Sequence, residues 1–112
     1  MNTLELEGAA LDWAVQQCEG TRKDIDFAWW TEDYTPSTNW AQGGPIIERE
    51  KITLDYDHEG PTLMWEANHF AFDGTMLQRE YGPTPLIAAM RCYVASKLGY
   101  TVDVPKEIDA KV

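Results

Sequence analysis

Apolar residues recur at helical spacing near both ends of this chain and alternate in pairs through its middle. Between Leu6 and Glu19, the residues Leu11, Ala14, Val15 and Cys18 fall at i, i+3, i+4 and i+7. That spacing predicts one buried helical stripe, with Asp12, Gln16, Gln17 and Glu19 off it. Gly20 stands where a helix commonly ends. A second helix is predicted from Pro85 to Leu98: Thr84 is a good N-cap and Pro85 suits the first helical position. Leu86, Met90, Tyr93, Val94 and then Lys97 or Leu98 keep the helical period until Gly99 stops it. The run Ile46–Tyr56 ends in a two-residue alternation of Ile52, Leu54 and Tyr56, which predicts a strand. Asp57–Pro61 is turn chemistry, and Thr62–Asn68, with Leu63, Trp65 and Ala67 inward, completes a hairpin. Ile25, Phe27 and Trp29 alternate as a further strand would, and Thr75–Tyr81, bracketed by Gly74 and Gly82, reads as a short strand or an ordered loop. Tyr34–Pro45 is rich in turn formers and has no period, so it reads as a long loop. Beyond the alternation of Val102 and Val104, the residues after Pro105 are polar and are expected to fray.

These elements describe one domain, residues 1–112, of α+β class. A small antiparallel sheet, the hairpin of about 46–68, packs with two helices of about 6–19 and 85–98. The pattern leaves open whether the helices share one face of the sheet. With 44% hydrophobic residues and five tryptophans among 112 positions, the chain has the material for a core. Nine Lys and Arg against nineteen Asp and Glu leave a net charge of −10, which repels phosphate backbones and anionic membranes. Nonspecific nucleic-acid binding is therefore excluded as an expectation. No stretch approaches the roughly 18 to 20 apolar residues of a membrane span, and Met1–Glu5 is acidic where a secretion signal would be basic. A cytoplasmic protein without membrane contact is expected. Cys18 and Cys92 each lie in a helical run, which predicts two buried thiols and no disulfide.

Candidate chemistry is sparse. Asp55, Asp57 and Glu59, with His58 among them, could offer three oxygen ligands, but they stand where a hairpin must turn and match no calcium-loop spacing, so no metal site is expected. His58 and His69 are the two imidazoles, and neither cysteine has the base and orienting group that a nucleophile needs. Gly43-Gly44 precedes a strand-like run, and Pro83 and Pro85 each remove an amide from the Gly82–Pro85 segment, so neither forms a phosphate loop. The expectation is a non-enzyme with no cofactor. What remains is a loop mixing aromatic rings with hydroxyls and amides: Tyr34, Ser37, Asn39, Trp40 and Gln42. The expected functional surface lies where this loop meets Gly82 and Thr84, with Arg79 and Arg91 as counter-charges. The competing expectation is that Trp40 plugs the core and merely anchors the loop.

Three strings carry a family resemblance: Leu11–Val15, Ser37–Glu48 and Gly82–Gly99, in particular Ser37-Thr38-Asn39-Trp40-Ala41-Gln42-Gly43-Gly44-Pro45 and Gly82-Pro83-Thr84-Pro85-Leu86. They resemble the small NinX-like proteins of tailed bacteriophages, which are similar to a phage family described as an α/β/α sandwich of unknown function. The likeness runs along most of the chain and is weakest over residues 21–33 and 70–81. It implies a phage or prophage accessory protein acting in the host cytoplasm, and it supplies no active-site residues to carry over. Two classes of partner follow: a host protein, met by the acidic surface, or a small nucleotide-like defence signal sequestered by the loop. Self-association is left open.

Overall fold

The computed structural model describes residues 2–20, 34–58, 64–71 and 73–109. Its centre is a helix whose apolar residues face every side, Arg91 being the charged exception: in Pro85–Leu98 (here α3), Leu86 and every residue from Ala88 to Ala95 are buried. A helix with apolar residues on all sides must be covered on all sides. Here it is covered by a sheet below and by helices above. The remaining elements, in chain order, are a 3-10 turn at Thr3–Glu5, α1 at Gly8–Gly20, α2 at Trp40–Glu50, β1 at Thr53–Tyr56, β2 at Trp65–Phe70 and β3 at Met76–Gly82, with α4 at Lys106–Asp109 after α3.

The sheet is antiparallel in the order β1-β2-β3, with Leu54 opposite Ala67 and Ala67 opposite Glu80 in register. α3 lies on β2 and β3, while α1 and α2 each pack against α3. Small residues let these layers approach: Ala88, Ala89 and Cys92 are fully buried. At Gly82 an added Cβ would sit 2.6 Å from the Ala88 nitrogen, so the end of β3 touches the first turn of α3. Leu11, Val15, Leu86, Met90, Tyr93 and Val94, the residues expected to join helices and sheet, are all buried. Each such aliphatic side chain contributes about 1.5–3 kcal/mol by leaving water.

The α+β class and both predicted helices stand, and Cys18 and Cys92 are buried thiols that form no disulfide with each other. Three readings are corrected. Tyr34–Pro45 is not a long loop, and Ile46–Glu50 is not strand: Trp40–Glu50 is a third helix. Asn39 caps it through the Ala41 amide, and Lys51, with φ 56°, ends it as its amide and that of Ile52 bond Glu48 and Ile47 carbonyls. Gly43-Gly44-Pro45 looks like a break, yet Gly43 and Ile46 are its buried face. The hairpin is accordingly shorter, pairing Thr53–Tyr56 with Trp65–Asn68, and the open segment before Gly82 is its third strand.

The second correction concerns α1, where Asp12, Gln16 and Glu19 are buried even though they lie off the apolar stripe. They form a second, polar stripe at i, i+4 and i+7 whose ends bond the turn before α2 and the last turn of α2. The third concerns the tail: Lys106–Asp109 is helical, with Ile108 buried, where fraying was expected. The strand expected at Ile25–Trp29 and the inward Leu63 lie outside the described residues.

Candidate functional site

α2 and α3 begin on the two sides of one cleft of about 230 Å³. Ser37, Thr38 and Trp40 form the α2 side, and Thr84 to Ile87 form the other. The local sequence explains both walls. Thr84 accepts the Ile87 amide through its hydroxyl at 3.1 Å, and Pro85 opens α3 without needing a donor. On the opposite wall the Asn39 side chain accepts the Ala41 amide at 2.9 Å, fixing Trp40 as the first residue of α2. The turn Pro36–Thr38 ahead of it is held from two directions. The Gln42 side-chain oxygen accepts the Thr35 amide, and the buried Asp12 carboxylate of α1 accepts the Ser37 amide at 2.9 Å. Burial pushes the Asp12 carboxyl above the usual carboxylate range, and its bonds from Ser37 pull the other way.

Gly43 brings the two walls together. A Cβ there would lie 2.4 Å from the Pro36 carbonyl oxygen and 2.6 Å from a Leu86 methyl, so only glycine lets α2 approach the start of α3 this closely. The far end of α2 is fixed by a polar clasp. Arg49 donates to both Glu19 oxygens at 3.1 and 3.0 Å and to the Tyr93 hydroxyl, which itself donates to Glu19. Lys97 reaches Glu50 at 3.5 Å, so this cluster ties α1, α2 and α3 at the opposite end from the cleft. Burial pushes the Tyr93 phenol well above its ordinary range.

The expected site residues separate into three groups. Ser37, Trp40 and Thr84 do line one cleft, while Asn39 and Gln42 stand behind its α2 wall as cap and turn anchor. Tyr34 is half-buried against the core, its phenol pushed up by burial and then by Glu19. Arg79 and Arg91 are elsewhere. Arg79 donates to Asn68 at 2.8 Å and pairs with Glu66 on the sheet, and Arg91 is buried, donating to the Leu6 and Tyr81 carbonyls at 2.7 and 2.9 Å. Trp40 is 53% exposed, so it does not plug the core. Sequence reasoning missed Asp12, Gly43 and Ile87, and the only signal was that Asp12 shares a helical face with Gln16 and Glu19.

Chemically, the described residues offer recognition groups. Burial raises the Cys18 and Cys92 thiols to about 12, so both are protonated at neutral pH. Among the described residues no group of three or more His, Cys, Asp or Glu is placed to hold a metal ion. No described helix is long and apolar enough to cross a membrane. No charged side chain is among the described residues lining the cleft.

Residues 2–97 match the family model described as Bacteriophage P22, NinX. No curated protein matches the chain.

Proposed function

Because the chain belongs to the NinX family of bacteriophage proteins, we propose that it is a non-catalytic phage accessory protein that engages a host protein in the host cytoplasm through the cleft between α2 and α3. The observation that carries this reading is the cleft's size and lining. At about 230 Å³ it falls below the roughly 300–1,000 Å³ of small-molecule sites, which suits one side chain of a protein partner. An exposed Trp40 beside Leu86 and Ile87 is the kind of aromatic and aliphatic wall that receives an anchor residue.

The same lining disfavours a nucleotide-like ligand. Phosphate recognition draws on Arg, Lys or free amides, whereas Asn39 and Thr84 already occupy amides in the first turns and Pro85 has none. Arg79 and Arg91 are engaged elsewhere.

The test is affinity capture from host lysate with the wild-type chain, Trp40→Ala, and Leu77→Ala on the sheet as control. A stoichiometric host protein retained by wild type and Leu77→Ala and lost by Trp40→Ala is the expected result. Capture indifferent to Trp40, or recovery of a bound compound absorbing near the nucleotide band in place of a protein, overturns it.

A further inference from the structure

A second, shallower cleft of about 330 Å³ lies at the far end of α3, about 20 Å along that 14-residue helix from the cleft between α2 and α3. We propose that it receives the guanidinium of an arginine side chain presented by another protein. What occupies the cleft between α2 and α3 has no bearing on it. Trp13 and Gln17, four residues apart, share one face of α1, while Leu98 and Val102 close the other side. Trp13 is half-buried against the core, which fixes its ring as a wall, and Leu98 is exposed enough to cover the methylenes of a long side chain. Thr101 and Asp103 complete the rim.

Charge selects the head group. Asp103 is the one charged side chain among the described residues lining this cleft, and neither its carboxylate nor the Gln17 amide makes a hydrogen bond or ion pair among the described residues. Two helix ends add to it. Gln17 opens the last turn of α1, which holds no basic residue, and Leu98 ends α3, whose terminal cation Lys97 is spent on Glu50 and the Tyr93 ring. Helix C-termini carry partial negative charge, so two of them and a carboxylate around one void draw in a cation. A guanidinium suits this lining better than an ammonium. It is planar, stacks on an indole and is more weakly hydrated, and its fork of donors meets a carboxylate in two bonds while a further N–H reaches an amide oxygen. The rim is open, with Gln17, Thr101 and Asp103 all exposed, so the cleft encloses the end of a side chain and leaves its carrier outside. Pockets for free small ligands bury most of the ligand instead.

The test is an NMR titration of the full chain with acetyl-Gly-Arg-Gly-amide and with the same peptide carrying Lys, or the uncharged citrulline, in place of Arg. The Arg peptide is expected to bind tightest, with shifts centred on the Trp13 indole, the Gln17 side-chain amide, Thr101 and Val102. Lys should bind a few-fold more weakly and citrulline more weakly still. Asp103→Asn should weaken the Arg peptide by up to about fivefold, the range of one exposed ion pair, while Asp55→Asn, the same loss of charge on the sheet, leaves it unchanged. Trp13→Leu keeps an apolar wall, removes the stacking face and should cost about two- to fivefold. Absence of binding, equal affinity of the Arg peptide and either analogue, or equal effects of Asp103→Asn and Asp55→Asn overturns the inference, because a net charge of −10 attracts cations without any built cleft. Recovery of a small cation bound in this cleft of the purified chain overturns the protein-borne occupant.

Discussion

α2 and α3 start on facing sides of one cleft, and each is closed at its first turn by a polar side chain, Asn39 or Thr84. Beyond that turn they are opposites. α3 buries Leu86 and all of Ala88–Ala95, carries proline at its first position and ends at Gly99. α2 buries only Gly43 and Ile46, holds Pro45 in its interior and ends at Lys51 in the left-handed region. α3 is held by what it buries, whereas α2 is held by what reaches it: Asp12 and Gln42 at the turn before it, and Glu19 and Tyr93 at its far end. The lesson is that the cleft has one wall fixed by the core and one wall fixed by hydrogen bonds. The second is the wall that carries the exposed tryptophan.

Truncation in α3 is the strongest way to probe this contrast. Met90→Ala removes a fully buried side chain and should cost about 2–5 kcal/mol in chemical denaturation. A loss well under 1 kcal/mol would mean that α3 is not the centre of the fold. In α2 the two adjacent glycines should behave oppositely. Gly43→Ala drives a methyl into the Pro36 backbone and Leu86, with an expected loss of about 1–3 kcal/mol. Gly44→Ala meets only a Trp40 ring carbon at 4.0 Å, so the better helix former should be neutral or stabilising by up to about 1 kcal/mol. The caps come next: Asn39→Ala and Thr84→Ala should each cost about 1 kcal/mol, read as shifts of the urea midpoint at unchanged slope.

The pH dependence separates the two regions again. Glu80, under α3, is 1% exposed and its carboxyl is raised by burial, against the pull of Gln78 and Arg91. A carboxyl raised in the folded state binds its proton more tightly there than in the unfolded chain. Its effect is therefore most favourable below the ordinary carboxylate range and is lost as pH rises through the raised value. Glu80→Gln should remove that loss, so variant and wild type differ above about pH 4.5 and converge in their pH slope below it. Glu50, on α2, is lowered despite the opposing effect of burial, through its bonds and charges with Arg49 and Lys97. Its contribution is present above the ordinary range and fades as pH falls through the lowered value, so Glu50→Gln should flatten the acid limb instead. The smallest effect on stability belongs to Trp40→Ala, within about 0.5 kcal/mol for a side chain 53% exposed. A melting temperature that falls as far as that of Met90→Ala would show that the ring is part of the core after all.

Much of this was legible in the chain. Thr84, Pro85 and Gly99 bound α3 at the residues where the structure places them, because capping and the missing proline amide act within one turn of the chain. The structure sets Ser37, Thr38 and Trp40 across one cleft from Thr84, but the long loop from which that meeting was expected is a helix from Trp40 onward. The roles of Arg79 and Arg91 were not legible. Their partners, Asn68 and Glu66 for one and the Leu6 and Tyr81 carbonyls for the other, come from other elements, and nothing in the sequence ranks those over an external anion.

The sequence by itself determined the α+β class, the stripe of α1, the whole of α3 and the sign of the charge, since periodicity, caps and composition are local or additive properties. Only the tertiary structure decided that Gly43-Gly44-Pro45 lies in a helix, that Asp12 and Glu19 are buried, and that Trp40 faces outward. In the first two of these cases the deciding contact spans from several to dozens of residues: Pro36 and Leu86 beside Gly43, Ser37 on Asp12, Arg49 on Glu19. A local propensity of about 1 kcal/mol per glycine is smaller than what such contacts can contribute together, so the fold overrides it where the layers meet.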